Sequence, residues 1–278
     1  ALTDVKPVSA WGDALSSLTR PGADITVAPY GAEVLADTEM VVPSPGIYPS
    51  NAILIEAMKR GIPVVSELEL AWFFLKTPLC AITGTNGKTT VTTLIGEILS
   101  RAGKKVFVGG NIGAPLIGYV DGPQDADWAV VEVSSFQLQW ANQFHPRIAI
   151  LLNTTYDHLD YHGSFDEYRR IKERIFARQD AADLAILNAD ENPAVSLAAR
   201  TAFFSSSGSV ASGMFIDGEM LVRVAPDGVR EEYPLGMIRI PGRHNVENVM
   251  AAVMAVRECG ATAEAAVRTV ESFHGIAH

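Results

Sequence analysis

The sequence has little of what would tie it to a disulfide scaffold, a nucleic acid or a membrane. It contains only two cysteines, Cys80 and Cys259. They form no Cys-x-x-Cys pair, so neither a disulfide framework nor a thiolate metal site is expected, and a reducing cytoplasm is the compartment that fits. A basic surplus is also missing: 22 Lys and Arg stand against 32 Asp and Glu, a formal charge of −10. Without a Lys/Arg block, nucleic acid has no field to hold it, and any phosphate-bearing ligand must be gripped locally. No apolar run approaches the roughly 20 residues of a membrane-spanning helix, and no charged-then-apolar leader opens the chain. Nucleic acid and membrane are therefore excluded as expected partners. Tandem repeats and low-complexity tracts are absent too.

What remains is an ordinary globular composition, 48% hydrophobic over 278 residues, enough for a sizeable core and suggestive of two domains. These are placed at 1–76 and 77–278. In the first, β-branched runs at Ile25-Thr26-Val27, Met40-Val41-Val42 and Pro63-Val64-Val65 alternate with a helical pattern over residues 51–60, half of an open α/β sheet. Ser44-Pro45-Gly46 follows one of these runs, either at a ligand-binding strand end or as an ordinary turn. In the second, Leu79 to Thr83 reads as a strand. Val91, Leu94, Ile95 and Ile98 recur at helical spacing, and Gly103 marks the stop. Further strands are expected at residues 106–108, 128–133, 148–152 and 184–187. Residues 214–240, with the turns Asp217-Gly218 and Asp227-Gly228, suggest an antiparallel excursion. Helices are expected again over 245–258 and 263–273. The fold class is α/β with a mostly parallel, helix-covered sheet.

Between the strand at 79–83 and the helix that follows lies Gly84-Thr85-Asn86-Gly87-Lys88-Thr89. Glycines let the backbone curl so that successive N–H groups face phosphate oxygens, and the following helix adds its positive end. Lys88 suits the β- and γ-phosphates, and the Thr89 hydroxyl suits a hard divalent cation. The common phosphate-loop pattern places a glycine where this chain has Ile82, so the match is to a compact variant.

Three further segments should bring polar groups to the sheet's carboxyl edge. Glu132 ends the run Val130-Val131-Glu132; an acid there is either paired or metal-bound, or it faces solvent on an edge strand. His158, flanked by Asp157 and Asp160, could ligate a metal or be structural. Asn111 sits in Gly109-Gly110-Asn111-Ile112-Gly113. Lys172 lies among Arg169, Arg170 and Arg174 on a helix at 165–176, and by default these read as one solvated basic face.

Gly84 to Thr90, Glu132-Val133-Ser134-Ser135-Phe136-Gln137-Leu138 and Asp157-His158-Leu159-Asp160-Tyr161-His162-Gly163 together resemble the Mur ligase family, which adds amino acids to the peptidoglycan precursor. Tyr168-Arg169-Arg170-Ile171-Lys172 and Gly242-Arg243-His244-Asn245-Val246-Glu247-Asn248 extend the resemblance over almost the whole chain. It implies a partial Rossmann-like N-terminal domain that binds a UDP substrate, followed by a phosphate-loop central ATPase domain, with ATP and Mg²⁺ as cofactors. Lys88, Glu132, His158 and Lys172 would be catalytic, and Gly84, Thr85, Asn86, Gly87, Lys88, Thr89 and Thr90 would bind the nucleotide phosphates, with Asn245 and Asn248 near adenine. Thr89, Glu132, His158 and a carbamylated Lys172 would ligate or orient Mg²⁺. Asn111, Ser134 and His158 would face the sugar-peptide, and Asp4, Lys6, Ser44, Pro45 and Gly46 the UDP part.

Within the family, Ser-Ser-Phe-Gln-Leu at 134–138, Ser44-Pro45-Gly46-Ile47 and the string at 273–278 are most similar to the branch that joins D-glutamate to UDP-N-acetylmuramoyl-L-alanine. The neighbouring branch, which adds the third residue, usually has a histidine where this chain has Phe136. Tyr156 stands where the family often has proline or a small or polar residue. A monomer is expected. The resemblance also implies a first strand and a third domain that this chain lacks, so the chain as given is expected to bind ATP·Mg²⁺ weakly and to ligate nothing. A nucleotide-driven switch and a nucleotide-binding module without chemistry remain alternatives.

Overall fold

The structure, a computed structural model, describes residues 1–4, 6, 9, 26–28, 30–193 and 196–276. It divides into two compact units, residues 1–65 and 66–278. The division falls before the helix at Glu67–Phe74, whereas the sequence expectation carried the first domain to residue 76.

In the first unit, α1 (Ala52–Lys59) begins at Asn51, whose side chain accepts from the Ile53 N–H, a standard helix start. The runs expected as strands at 40–42 and 63–65 meet only in a single parallel bridge, Val41 with Val64. Pro43 and Pro63 explain the brevity, because each removes a ladder donor next to the bridge. Of the run at 25–27, residue 25 lies outside the described residues and Val27 bridges to Leu2.

The second unit runs α2 (Glu67–Phe74), β1 (Leu79–Thr83), α3 (Lys88–Arg101), β2 (Val106–Gly110), α4 (Leu116–Val120), β3 (Trp128–Glu132), α5 (Ser135–Leu138), β4 (Ile148–Leu151), α6 (Leu159–His162) and α7 (Phe165–Glu173). It continues through β5 (Leu184–Asn188), β6 (Arg200–Ser205), β7 (Gly213–Asp217), β8 (Met220–Val224), β9 (Arg230–Pro234), α8 (Arg243–Glu258) and α9 (Ala263–Ser272). The strands form one sheet in the order β2-β3-β1-β4-β5-β6-β7-β8-β9. Pairing is parallel from β2 to β7 and antiparallel through β8 and β9. The antiparallel excursion expected at 214–240 is this last pair, entered by a tight turn in which Gly218 has φ +59°.

Both faces of the sheet are covered, which is why its central strands read as continuous apolar runs rather than alternating ones. Along β1, Cys80 and Ile82 pack with Leu94 and Ile98 of α3 and with Val249 and Val253 of α8. Leu79 and Ala81 turn the other way, toward Leu68 of α2, Leu116 of α4 and Ile171 of α7. Each strand residue therefore serves one of two cores by its parity. β1 lies between β3 and β4, so its carboxyl end opens between their loops. That is where parallel sheets place ligands.

Candidate active site

The phosphate loop leaves β1 and enters α3 with Gly87 in the left-handed region, φ +86°. The chain must turn sharply here while another backbone-facing group comes close. A Cβ on Gly87 would stand 2.3 Å from Asn248 Oδ1, which only glycine tolerates. Lys88 is folded back on its own loop and donates to the Gly84 and Thr85 carbonyls at 3.0 and 2.9 Å. Burial pulls its pKa down, against the opposing charges of Glu132 and Asp157.

Glu132 ends β3, inside the sheet, and is only 2% exposed. The solvent-facing alternative is thereby excluded. One carboxylate oxygen accepts from the Thr89 hydroxyl and the other from Asn111 Nδ2, both at 2.8 Å. Asn111 reaches it because Gly110, at φ +101°, lets β2 press against β3; a Cβ there would lie 2.4 Å from the Glu132 carbonyl. The group formed by Glu132 and Thr89 is all oxygen, deeply seated and beside the phosphate loop, which fits a hard divalent cation.

His158 occupies the left-handed region at φ +49°. Its Nε2 stands 3.3 Å from Asp157 Oδ2, its side chain is 46% exposed, and its ring lies 4.9 Å from that of Phe136. Among the described residues, the one group of three acidic, His or Cys side chains with ligand atoms within 4.8 Å of one another is His145, Asp180 and Asp183. The structure thus couples Glu132 to Thr89 directly and leaves His158 with Asp157.

Lys172 departs most from the expectation of a solvated basic face. Arg170 is solvent-facing and pairs with Glu167, but Lys172 is 2% exposed. Its Nζ donates to the Gly84 carbonyl at 2.9 Å and lies 4.6 Å above the Tyr168 ring. Two lysines therefore converge on one carbonyl. Burial, and then the Lys88 charge, lower the Lys172 pKa to about 7, with Asp157 opposing. Beside it, His162 bonds Ser135 Oγ through Nε2 at 3.0 Å, and burial takes its pKa down to about 4. Ser134 caps α5 in a reciprocal pair with Gln137.

A cavity of about 990 Å³ opens on the other side of the loop, lined by Asn86, Gly87, Thr89 and Thr90 and by Asn245 and Asn248 of α8. Asn153, His244, Glu247 and His274 also line it. None of these four carries an assigned role in the sequence pattern, although His244, Glu247 and His274 lie within the strings that bear the resemblance. Asn153 had a usable signal, since it directly follows the apolar run of β4 at the same sheet edge. In the first unit, Asp4 and Ser44 line a cavity of about 280 Å³. Pro45 and Gly46 form the adjoining turn, closed by Ile47 N–H on the Ser44 carbonyl. Lys6 contributes its backbone N–H to Asp4.

The profile of the Mur ligase middle domain matches residues 82–256. The chain belongs to the Mur ligase family. Among its relatives, the UDP-N-acetylmuramoylalanine–D-glutamate ligase of Syntrophus aciditrophicus is 55% identical over the whole chain. The chain spans 62% of that relative's length. Two solved Mur ligases share the fold. One is a UDP-N-acetylmuramoyl-L-alanyl-D-glutamate–2,6-diaminopimelate ligase, 20% identical with a TM-score of 0.60, covering 86% of this chain and 60% of that one. The other is the MurF ligase of Thermotoga maritima in complex with ADP, 16% identical with a TM-score of 0.55, covering 86% and 65%.

Proposed function

We propose that this chain carries the UDP-substrate and nucleotide sites of an ATP-dependent Mur ligase that joins D-glutamate to UDP-N-acetylmuramoyl-L-alanine in the cytoplasm. The observation that carries the reading is the meeting at the phosphate loop of the buried Glu132, bonded to Thr89, and the buried Lys172. A switch that only hydrolyses ATP has no use for a desolvated lysine on the Gly84 carbonyl. Phe136 in place of histidine favours D-glutamate over the third residue as the amino acid added.

In this reading the substrate carboxylate attacks the γ-phosphorus of ATP, releasing ADP. The resulting acyl phosphate is attacked by the D-glutamate amine, and phosphate leaves as the amide forms. Lys88 leaves its loop carbonyls for the phosphates, and the loop N–H groups hold the remaining oxygens. Glu132 and Thr89 would hold Mg²⁺ together with His158 and a carbamylated Lys172, the ion offsetting the negative charge that accumulates between phosphates and carboxylate.

Lys172 is suited to the carbamate because its neutral amine, the form that adds carbon dioxide with loss of a proton, is populated near pH 7. Asn245 and Asn248 serve the adenine side, Asn111 and Ser134 the sugar-peptide, and Asp4, Lys6 and the turn Ser44-Pro45-Gly46 the UDP moiety. The unit acts as a monomer.

In the complete gene product, ADP release should require both UDP-N-acetylmuramoyl-L-alanine and D-glutamate. Lys172→Ala should slow it by at least about 100-fold, the scale of removing a placed electrostatic group. Hydrolysis independent of both substrates would overturn the ligase reading, and a normal rate in Lys172→Ala would overturn the carbamate.

A further inference from the structure

We infer that Glu191, on the 3-10 turn after β5, is a positioning residue for the nucleotide phosphates. The inference rests on the nucleotide reading above and adds a residue to it. The link runs through the segment that follows β4. Asn153 takes the Thr85 N–H on its carbonyl at 2.9 Å. Its side chain makes a two-way pair with the Asn86 backbone at 2.8 and 3.0 Å. Two residues on, the Thr155 N–H donates to Thr85 Oγ1 at 3.0 Å. Residues 153 and 155 thus both address the phosphate loop.

The Thr154 N–H between them bonds away from the loop, and Thr154 is buried; it needs its own acceptor, since a buried donor without one costs roughly 1–3 kcal/mol. Glu191 supplies it. Both of its carboxylate oxygens accept from the Thr154 N–H, at 3.0 and 2.9 Å, and a charged acceptor makes the stronger kind of bond.

The turn that carries Glu191 is itself braced. Asn188 Oδ1 accepts from the Asp190 N–H at 2.9 Å, and Asp190 accepts from Ser205 Oγ at 2.6 Å and the Ser206 N–H at 2.9 Å. Glu191 is consequently a fixed post. It holds Thr154, and Thr154 holds the two neighbours that shape the curl of the phosphate loop. Its influence should reach the phosphate tail of a nucleotide and leave the adenosine end, on the α8 side of the cavity, unchanged.

Calorimetric titration of this chain with ADP·Mg²⁺ and, separately, with adenosine reads that split. Glu191→Ala is expected to weaken ADP about tenfold and adenosine less than twofold. Glu191→Gln keeps one acceptor oxygen and should recover most of the ADP affinity. Unchanged ADP affinity in Glu191→Ala, or an equal loss for ADP and adenosine, overturns the inference. Lys88→Ala is the control for the phosphate loop itself.

Amide hydrogen exchange keeps the test open if the wild-type chain binds no ADP, which would count against the nucleotide reading alone, or if Glu191→Ala does not fold. Faster exchange at 84–86 and 153–155 in Glu191→Ala, or in Glu191→Leu where the alanine variant does not fold, with α8 unaltered, is then expected. Unaltered exchange at 84–86 overturns the inference.

Discussion

Individual side chains in this protein take their properties from what surrounds them rather than from their type. Lys172 and Arg170 lie two positions apart on one helix; one is buried against the Gly84 carbonyl and the other pairs with Glu167 in solvent. Glu231 gives the clearest consequence for stability. Its carboxylate accepts from Arg257, from the Tyr233 hydroxyl at 2.8 Å and from Arg223, and these, Arg257 foremost, hold its pKa down at about 2 against a starting value of 4.5 despite partial burial. The side chain is 18% exposed, so the bonds are little screened. A depressed carboxyl pKa stabilises the fold above the unfolded value, and that contribution is lost as pH falls through the folded one. Glu231→Gln should therefore cost about 2–3 kcal/mol at pH 7. Denaturant titrations across pH should show the gap from wild type closing between about pH 4.5 and pH 2; a constant gap would contradict it.

At the level of elements, short helices at the sheet's edge present the site, and their caps decide whether they form. α5 has only four residues, too few to persist on propensity, yet it sets Ser135 against His162 and Phe136 against His158. Its start is secured by the Ser134 hydroxyl on the Gln137 N–H and by Gln137 on the Ser134 N–H. Ser134→Ala should cost about 1 kcal/mol, seen as a lower melting temperature. Ser134→Asp, which can still cap, should recover most of it. The longer helices were readable as such: α3 follows the i, i+3, i+4, i+7 spacing of Val91, Leu94, Ile95 and Ile98, all of them buried, and Gly103 takes φ +82° where the spacing predicts a stop. The helix expected over 165–176 shifts to 3-10 form at Arg174–Phe176, a change of hydrogen bonding that hydrophobic spacing does not encode.

On the scale of the whole molecule, residues 66–278 hold both faces of the nine-stranded sheet and both hydrophobic cores. That stretch should fold by itself. Expressed alone it should give the mixed helix and strand circular dichroism of the sheet domain, melt in one cooperative transition and keep its ADP affinity within about threefold; a non-cooperative melt would show that residues 1–65 are needed.

The sequence by itself determined the parallel α/β class, the hairpin at Gly218 and the strand–loop–helix at Gly84 to Thr89. Each is written in a short window by residue spacing and by glycines that permit positive φ, so no distant partner is needed to read it. Only the tertiary structure decided that Glu132 is buried on Thr89, that Lys172 leaves the basic face for the Gly84 carbonyl, and that Glu191 supports Thr154. These depend on which strands are neighbours and on which backbone groups lack partners after the sheet has formed. Burial and hydrogen-bond demand are properties of the packed chain, and no local pattern along it records them.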